Sequence, residues 1–192
     1  MLLFQLSEYI PINHYKTISM QKNFFPTLVT VCIIAHMVRT AYEVLKHKKV
    51  ITASRLSFII VFTDMLLLWA SWFALNPLDP SRTDLPCIIR YFGIFFILAG
   101  VVVFFISLFT IKTLENHKGD LITHGIYSRV RHPMYLGFIF WLLGMSLFHG
   151  GIISLVLCIV FIANVLFWRY LEEKELEERF PEYKNYKTKT LF

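Results

Sequence analysis

An all-α, polytopic membrane fold is predicted for this 192-residue chain, with about five transmembrane helices, the last two forming a helical hairpin. Three observations carry that prediction. Hydrophobic residues make up 56% of the chain, Phe alone contributing 19, against roughly 45–50% in ordinary globular proteins. The mean hydropathy is +0.58. The apolar residues also lie in long blocks rather than amphipathic stripes, which is how membrane spans read.

The first block runs from about Phe24 to Leu45 and carries His36 and Arg39. The second, Leu56–Leu75, is interrupted only by Asp64 and small polar residues, and the third, Ile88–Ile111, is the cleanest. At 1.5 Å rise per residue, each of these can cross a hydrocarbon core of roughly 30 Å. Tyr135–Phe148 is too short to cross comfortably alone. Gly150-Gly151 separates it from Ile152–Tyr170, and such a pair breaks a helix, so the two blocks read as a tight hairpin. Residues 1–23 lack a basic stretch ahead of their short apolar run. They are expected to form an interfacial segment rather than a cleaved signal peptide. The whole, 1–192, reads as one integral membrane domain: three spans over 24–111 and a chemistry-bearing part over 112–192.

Charge sets the expected orientation. Lys46, Lys48, Lys49 and Arg55 make the first connection basic, and Lys112, Lys118, Arg129 and Arg131 do the same for the third. The second has Asp79 and Asp84 against Arg82, and the hairpin turn carries no Lys, Arg, Asp or Glu. With positive loops inside, the third connection and the C-terminus share the cytoplasmic face; Lys16 and Lys22 outside are a mild violation. The formal net charge of +6 is thereby explained without nucleic acid, whose binders spread Lys and Arg over one exposed face. Cys32, Cys87 and Cys158 are far apart with no CxxC. Neither a disulfide framework nor a metal site is expected, and all three read as buried filler.

The densest chemistry lies in Leu121–Tyr135, LITHGIYSRVRHPMY. Proline is favoured in the first helical turn, where the amide it lacks would have no partner. His132-Pro133 is therefore expected to begin the fourth helix. The free N–H groups and positive dipole end there, reinforced by Arg129 and Arg131, suit an anion. Gly125 supplies a bend, and Tyr127 and Tyr135 supply ring faces that can hold a cation. The same residues also fit a positive-inside loop with interfacial tyrosines.

The fifth block runs into a polar tail, RYLEEKELEERF from Arg169 to Phe180, stopped by Pro181. Leu171, Leu176 and Phe180 recur at near-helical spacing, so one face can pack back on the domain. Arg169 and Glu173 are i, i+4 and share a face. There a guanidinium can grip a carboxylate at two points, although a solvated helix end has the same appearance. Asp64 reads either as a functional intramembrane carboxylate or as a bond to a neighbouring helix. His36 and Arg39 near the cytoplasmic end of the first span read foremost as snorkelling to the surface, with a functional role as the alternative. Gly93 with Gly100, and Gly137 with Gly144, fit close helix packing. No GxGxxG after a strand, P-loop, HExxH or GxSxG occurs, which excludes a soluble Rossmann-type nucleotide site.

With these residues assembled, the chain resembles the isoprenylcysteine carboxyl methyltransferase family of membrane enzymes, in its shorter prokaryote-like form. That family's pattern runs roughly L-[VI]-T-x-G-x-Y-x-x-x-R-H-P-x-Y-x-G. Here it reads Leu121-Ile122-Thr123-His124-Gly125-Ile126-Tyr127, then Arg131-His132-Pro133-Met134-Tyr135-Leu136-Gly137. An arginine, paired glutamates and L-x-x-x-F-G-x-x-Y-x-x-Y follow in the family; here these are Arg169, Glu172-Glu173, Leu176, Phe180, Tyr183 and Tyr186. Pro181 replaces the glycine after Phe180, the step to Tyr183 is one residue shorter, and Gly119-Asp120 stands where relatives often have a histidine-led stretch.

The resemblance implies S-adenosylmethionine as cofactor, bound at the cytoplasmic end of the helices, and a lipophilic or prenylated substrate entering from membrane lipid. It implies that Leu121, Ile122, Tyr127 and His132, Pro133, Met134 and Tyr135 line the cofactor site, that Glu173 contacts the cofactor, and that Arg169 orients the substrate carboxylate. Three other readings stay open: a phospholipid or small-lipid N-methyltransferase, an NADPH-dependent membrane reductase, and a non-enzymatic membrane scaffold.

Overall fold

The computed structural model describes residues 2–52, 54–111 and 121–192, with side chains from residue 24 onward. The side chains of the expected interfacial segment, Lys16 and Lys22 among them, lie outside the described residues, as do Lys112, Lys118, Gly119 and Asp120. Among the described residues, six α-helices follow one another: α1 (Leu2–His47), α2 (Arg55–Leu75), α3 (Cys87–Ile111), α4 (Pro133–His149), α5 (Ile152–Arg179) and α6 (Tyr183–Lys189). Among the described residues, extended pairing is confined to two isolated bridges, Arg82 with Gly151 and Val130 with Leu191. Phe24–His47, Arg55–Leu78, Cys87–Ile111 and Ile152–Arg179 are each long and apolar enough to cross a membrane, with Pro133–His149 as a shorter fifth. The chain is an all-α, polytopic integral membrane protein.

Local chemistry marks the helix boundaries. Ser54 caps α2, its side chain accepting from the amide of Ser57 while Ser57 reaches back to the Ser54 amide, a reciprocal capping box. Pro133 stands in the first turn of α4, as its missing amide allows. Gly150 ends α4 in the left-handed region at φ 69°, which lets the chain reverse into α5.

The four helix glycines fix where α4 goes. A Cβ on Gly144 would stand 2.7 Å from the Ile97 amide nitrogen, and one on Gly100 would stand 2.8 Å from the Gly137 carbonyl oxygen. Between lipid-soluble helices no hydrophobic difference drives association, so close backbone approach through small residues supplies the packing instead. The short α4 is thus carried by α3, its tightest neighbour, as well as by its hairpin partner α5.

Where the hairpin turns, the second connection closes over it. Thr83 donates its amide to the Gly150 carbonyl at 2.9 Å, and the Ile152 amide donates to the Ser81 carbonyl at 3.1 Å. Asp79, fully buried, accepts from the amide and hydroxyl of Ser154, both at 2.7 Å, and from the amide and hydroxyl of Ser81 at 2.9 and 2.6 Å. Burial alone would raise the Asp79 pKa, but these four donors overcome it and hold the carboxyl below its ordinary value. This weakly charged connection is a clamp.

A polar seam joins α1 to α5 inside the bundle. Thr40 donates to Asn164 Oδ1 at 2.9 Å and accepts from the Trp168 indole at 2.9 Å. Asn164 Nδ2 lies 3.1 Å from His36 Nδ1, and the His36 ring stacks on Phe161 at 3.8 Å between centroids. His36 is buried, and the Arg39 side chain is only 13% exposed beside Glu43. Neither residue snorkels. The helical face that carries them meets α5, where hydrogen bonds and aromatic faces replace water. Cys32 and Cys158 are buried as expected, but Cys87 is exposed at the start of α3.

Two measurements check this packing. Gly144→Ala should lower stability in detergent by about 1–3 kcal/mol, because the added methyl meets backbone that cannot swing aside; the thermal unfolding midpoint reads it. Asp79→Asn should cost about 2 kcal/mol at neutral pH. A depressed folded pKa gives stability that is complete above about pH 4 and is lost as pH falls through the folded value. The gap between wild type and Asp79→Asn should therefore narrow below about pH 4.

Candidate active site

At the other end of α4, one carboxylate gathers the site. Glu173 is 6% exposed and lies on the face of α5 that continues the buried row Val165, Trp168 and Leu171. Its Oε1 stands 3.3 Å from Arg131 Nε, 3.5 Å from His132 Nε2 and 3.9 Å from Arg169 Nε. Its Oε2 stands 2.8 Å from Lys187 Nζ. These partners come from the connection ahead of α4, from α5 itself and from α6. The hydrogen bonds that Lys187 donates to Glu173 and then to Glu177 raise its pKa, so its ammonium persists through the neutral range.

Backbone pairing reinforces that meeting. The Leu191 amide donates to the Arg129 carbonyl at 2.8 Å, the Arg131 amide to the Leu191 carbonyl at 3.0 Å, and the His132 amide to the Phe192 carbonyl at 3.2 Å. Arg131 also sends its guanidinium to the carbonyls of Lys187 at 3.0 Å and Thr190 at 2.5 Å. Tyr186 donates its hydroxyl to the Tyr127 carbonyl at 2.5 Å. The Tyr183 hydroxyl, fully buried, stands 3.3 Å from His132 Nε2. Burial, then the field of nearby carboxylates, raises the pKa of Tyr127 and Tyr183, so both phenols stay protonated. Carbonyls of the C-terminal segment thus take part of the donor set that the sequence offers at the start of α4.

Beside this cluster lies a cavity of about 140 Å³. Its polar end carries Arg39, Glu43 and Lys46 from α1, Tyr135 from α4 and Glu172 from α5. Its apolar length is walled by Phe58, Val61, Phe62, Met65 and Trp69 of α2, with Phe104, Met134 and Phe138. Trp69 meets Phe104, Phe138 and Trp141 edge-on at 5.2–5.3 Å, a rigid floor for an apolar chain. Phe62 is 42% exposed, so the apolar wall reaches the surface of the span region.

The expected site residues divide between the two features. His132, Arg169 and Glu173 meet in the cluster, with Tyr127 buried close by. Met134 and Tyr135 line the cavity, and Pro133 is fully buried at the first turn of α4. Leu121 and Ile122 are half-buried in irregular chain and are not among the cavity's lining residues. Glu172, rather than Glu173, reaches the cavity; His132 Nδ1 lies 3.8 Å from it. Gly125 bends the chain at φ 59°, as its position implies.

Sequence reasoning left Arg39 between snorkelling and function and did not place Glu43, Lys46 or the α2 wall at a site. The available signal was the Arg39–Glu43 spacing of i, i+4 on the same face as His36. A lone span gives no sign of which face is inward.

The donor set fits S-adenosylmethionine. Glu172 and the Tyr127 and Tyr135 rings suit its cationic parts. Arg169 Nε, buried without a hydrogen-bond partner, suits a second, anionic ligand beside it.

Comparison with known proteins follows this geometry. The phospholipid methyltransferase family profile matches residues 87–183, from the start of α3 to the start of α6. The protein-S-isoprenylcysteine O-methyltransferase of Saccharomyces cerevisiae is 37% identical over 86 residues, 41% of this chain and 34% of that protein. That of Schizosaccharomyces pombe is 32% identical over 64 residues, 33% of this chain and 25% of that protein. The B form of Arabidopsis thaliana is 34% identical over 70 residues, 36% of this chain and 32% of that protein. The chain therefore spans about a quarter to a third of the length of the curated relatives it matches. No solved structure matches.

Glu173→Gln should undock the C-terminal segment, because cations from three segments lose their shared anion; breaking such a buried pair costs about 3–5 kcal/mol. Limited proteolysis should then cleave beyond Phe180 faster, while the spans stay protected.

Proposed function

This chain belongs to the phospholipid methyltransferase family, and from that premise we propose that it is an S-adenosylmethionine-dependent methyltransferase acting on a lipophilic acceptor, most specifically the carboxylate of an isoprenylcysteine-like substrate. The observation that carries the reading is the cavity with charged groups at one end and an aromatic-lined apolar length at the other, abutting the Glu173 cluster. A prenylated or similar amphiphile has that polarity. The names of the relatives, protein-S-isoprenylcysteine O-methyltransferases, support a carboxylate acceptor. The charge bias of the connections supports a site facing the cytoplasm.

When bound, S-adenosylmethionine supplies a methyl group on a positively charged sulfur. Leu121, Ile122, Tyr127 and the His132–Tyr135 segment would hold it, Glu173 contributing the acceptor capacity that its cations leave. Positioning dominates such an in-line displacement. Arg169 aims the acceptor carboxylate, and the apolar walls exclude water from it. The acceptor needs no general base: an α-carboxyl has a reference pKa of roughly 3.3–3.7 and is ionised at neutral pH.

A second reading, an amine acceptor such as a phospholipid head group, is favoured by Glu43 and Glu172 at the polar end, where carboxylates can hold an ammonium. That acceptor must lose a proton before transfer, which makes His132 or Glu172 a required base.

Transfer of labelled methyl from S-adenosylmethionine to farnesylcysteine, against a panel of lipid amines, decides between them. A rate flat above about pH 6 is expected for the carboxylate and a strong alkaline rise for the amine. Arg169→Ala should abolish transfer and leave cofactor affinity within about threefold, whereas Tyr135→Ala and Glu173→Ala should weaken cofactor binding itself. Full turnover by Arg169→Ala would remove the proposed substrate role.

A further inference from the structure

The family match begins at residue 87, yet three of the five polar residues at the cavity's charged end stand on α1. Arg39 is the one whose placement demands a reason. It lies eight residues before the end of α1, within reach of a snorkelling route toward water, but it turns inward instead. Its side chain is 13% exposed, paired with the 6% exposed carboxylate of Glu43. Its guanidinium carbon lies 5.5 Å from the centre of the Tyr42 ring and 5.6 Å from that of Trp168.

Trp168 is itself held by Thr40, and Thr40 by Asn164, so the seam between α1 and α5 fixes the guanidinium before any ligand arrives. A preorganised charge in a water-poor pocket interacts far more strongly than one in bulk water. The guanidinium already faces Glu43 and lies within the field of Asp64, and its planar fork can bridge more than one anion.

The two sides of the cavity differ. On the α1 side, Arg39 and Lys46 bring positive charge, with Glu43 committed to Arg39 and Lys46 standing 3.3 Å from Glu175. Across it stand Glu172 and Tyr135, which hydrogen-bond each other; Tyr135 lies within the fields of Glu43 and Arg39. An amphiphile laid along the α2 wall would bring its head group between them, with an anion toward Arg39. Arg169 stands 4.6 Å from the centre of the Phe192 ring and is not among the residues that line the cavity.

We propose that Arg39 is an acceptor-recognition residue that receives the anionic head group of the lipophilic acceptor at the polar end of the cavity, with Glu43 holding the guanidinium in position. The assignment rests on the methyltransferase reading of this cavity and deepens it. Arg39 sets acceptor affinity and charge selectivity, and the transfer step itself is left to Arg169.

Equilibrium binding to the full chain in nanodiscs tests this with two probes that differ in one group, N-acetyl-S-farnesylcysteine and its carboxamide. Wild type should bind the acid at least about tenfold tighter than the amide, the scale of one charge-assisted hydrogen-bonded contact. Arg39→Gln should weaken the acid by about that factor and leave the amide within about threefold. In transfer assays it should raise KM with kcat within about threefold, opposite to Arg169→Ala.

Arg39→Lys keeps the charge but loses the two-point fork. It should weaken the acid several-fold with the amide unchanged, and it decides the matter if Arg39→Gln does not fold. An unchanged acid-to-amide ratio in the variants, equal weakening of both probes, or no acid preference in wild type would each overturn the assignment. A wild type that discriminates the probes but transfers no methyl would uphold Arg39 and sink the methyltransferase reading, so the two failures are distinguishable.

Discussion

A single buried carboxylate, Glu173, drawing Arg131, His132, Arg169 and Lys187 toward it, is the constraint on which the polar half of this protein depends. Four cationic or protonatable groups crowded at a helix end would repel one another and would lose hydration there. With an anion at their centre they become a joint between the connection before α4, the C-terminal end of α5 and the C-terminal segment. The short backbone pairing of Arg129, Arg131 and His132 with Leu191 and Phe192 follows from that joint. So does the position of Tyr135, whose place on α4 brings it to the cavity beside Glu172.

The apolar half is organised by a different force. Glycines on α3 and α4 let two backbones meet, and the Asp79 clamp ties the hairpin turn to the second connection. α4 is too short to span alone, yet it is held at both ends: by the clamp at its C-terminus and by the Glu173 joint at its N-terminus. A helix fixed in this way can present Tyr135 and Met134 to the cavity with little freedom, which is what a transfer reaction governed by positioning requires.

The candidate site is also less local than its motifs. Residues 87–183 carry the family match, but the cavity needs α1 for its charged end and α2 for its apolar wall. The part of the chain that matches the family profile and the part that lines the cavity overlap only in α3, α4 and α5.

The amino-acid order by itself determined the spans, the helix start at His132-Pro133, the break at Gly150-Gly151 and the pairing of Arg169 with Glu173. Each is a local property: hydropathy over one block, the missing amide of proline, the freedom of glycine, the 3.6-residue turn. Tertiary structure alone decided that Arg39 and His36 turn inward, that Cys87 is exposed, that Asp79 is a clamp, and that Glu172 rather than Glu173 meets the cavity. Those outcomes depend on which face of one helix meets which face of another. In spans that are apolar on every side, hydropathy carries no phase, so the inward face becomes legible only once the partner helices are in place.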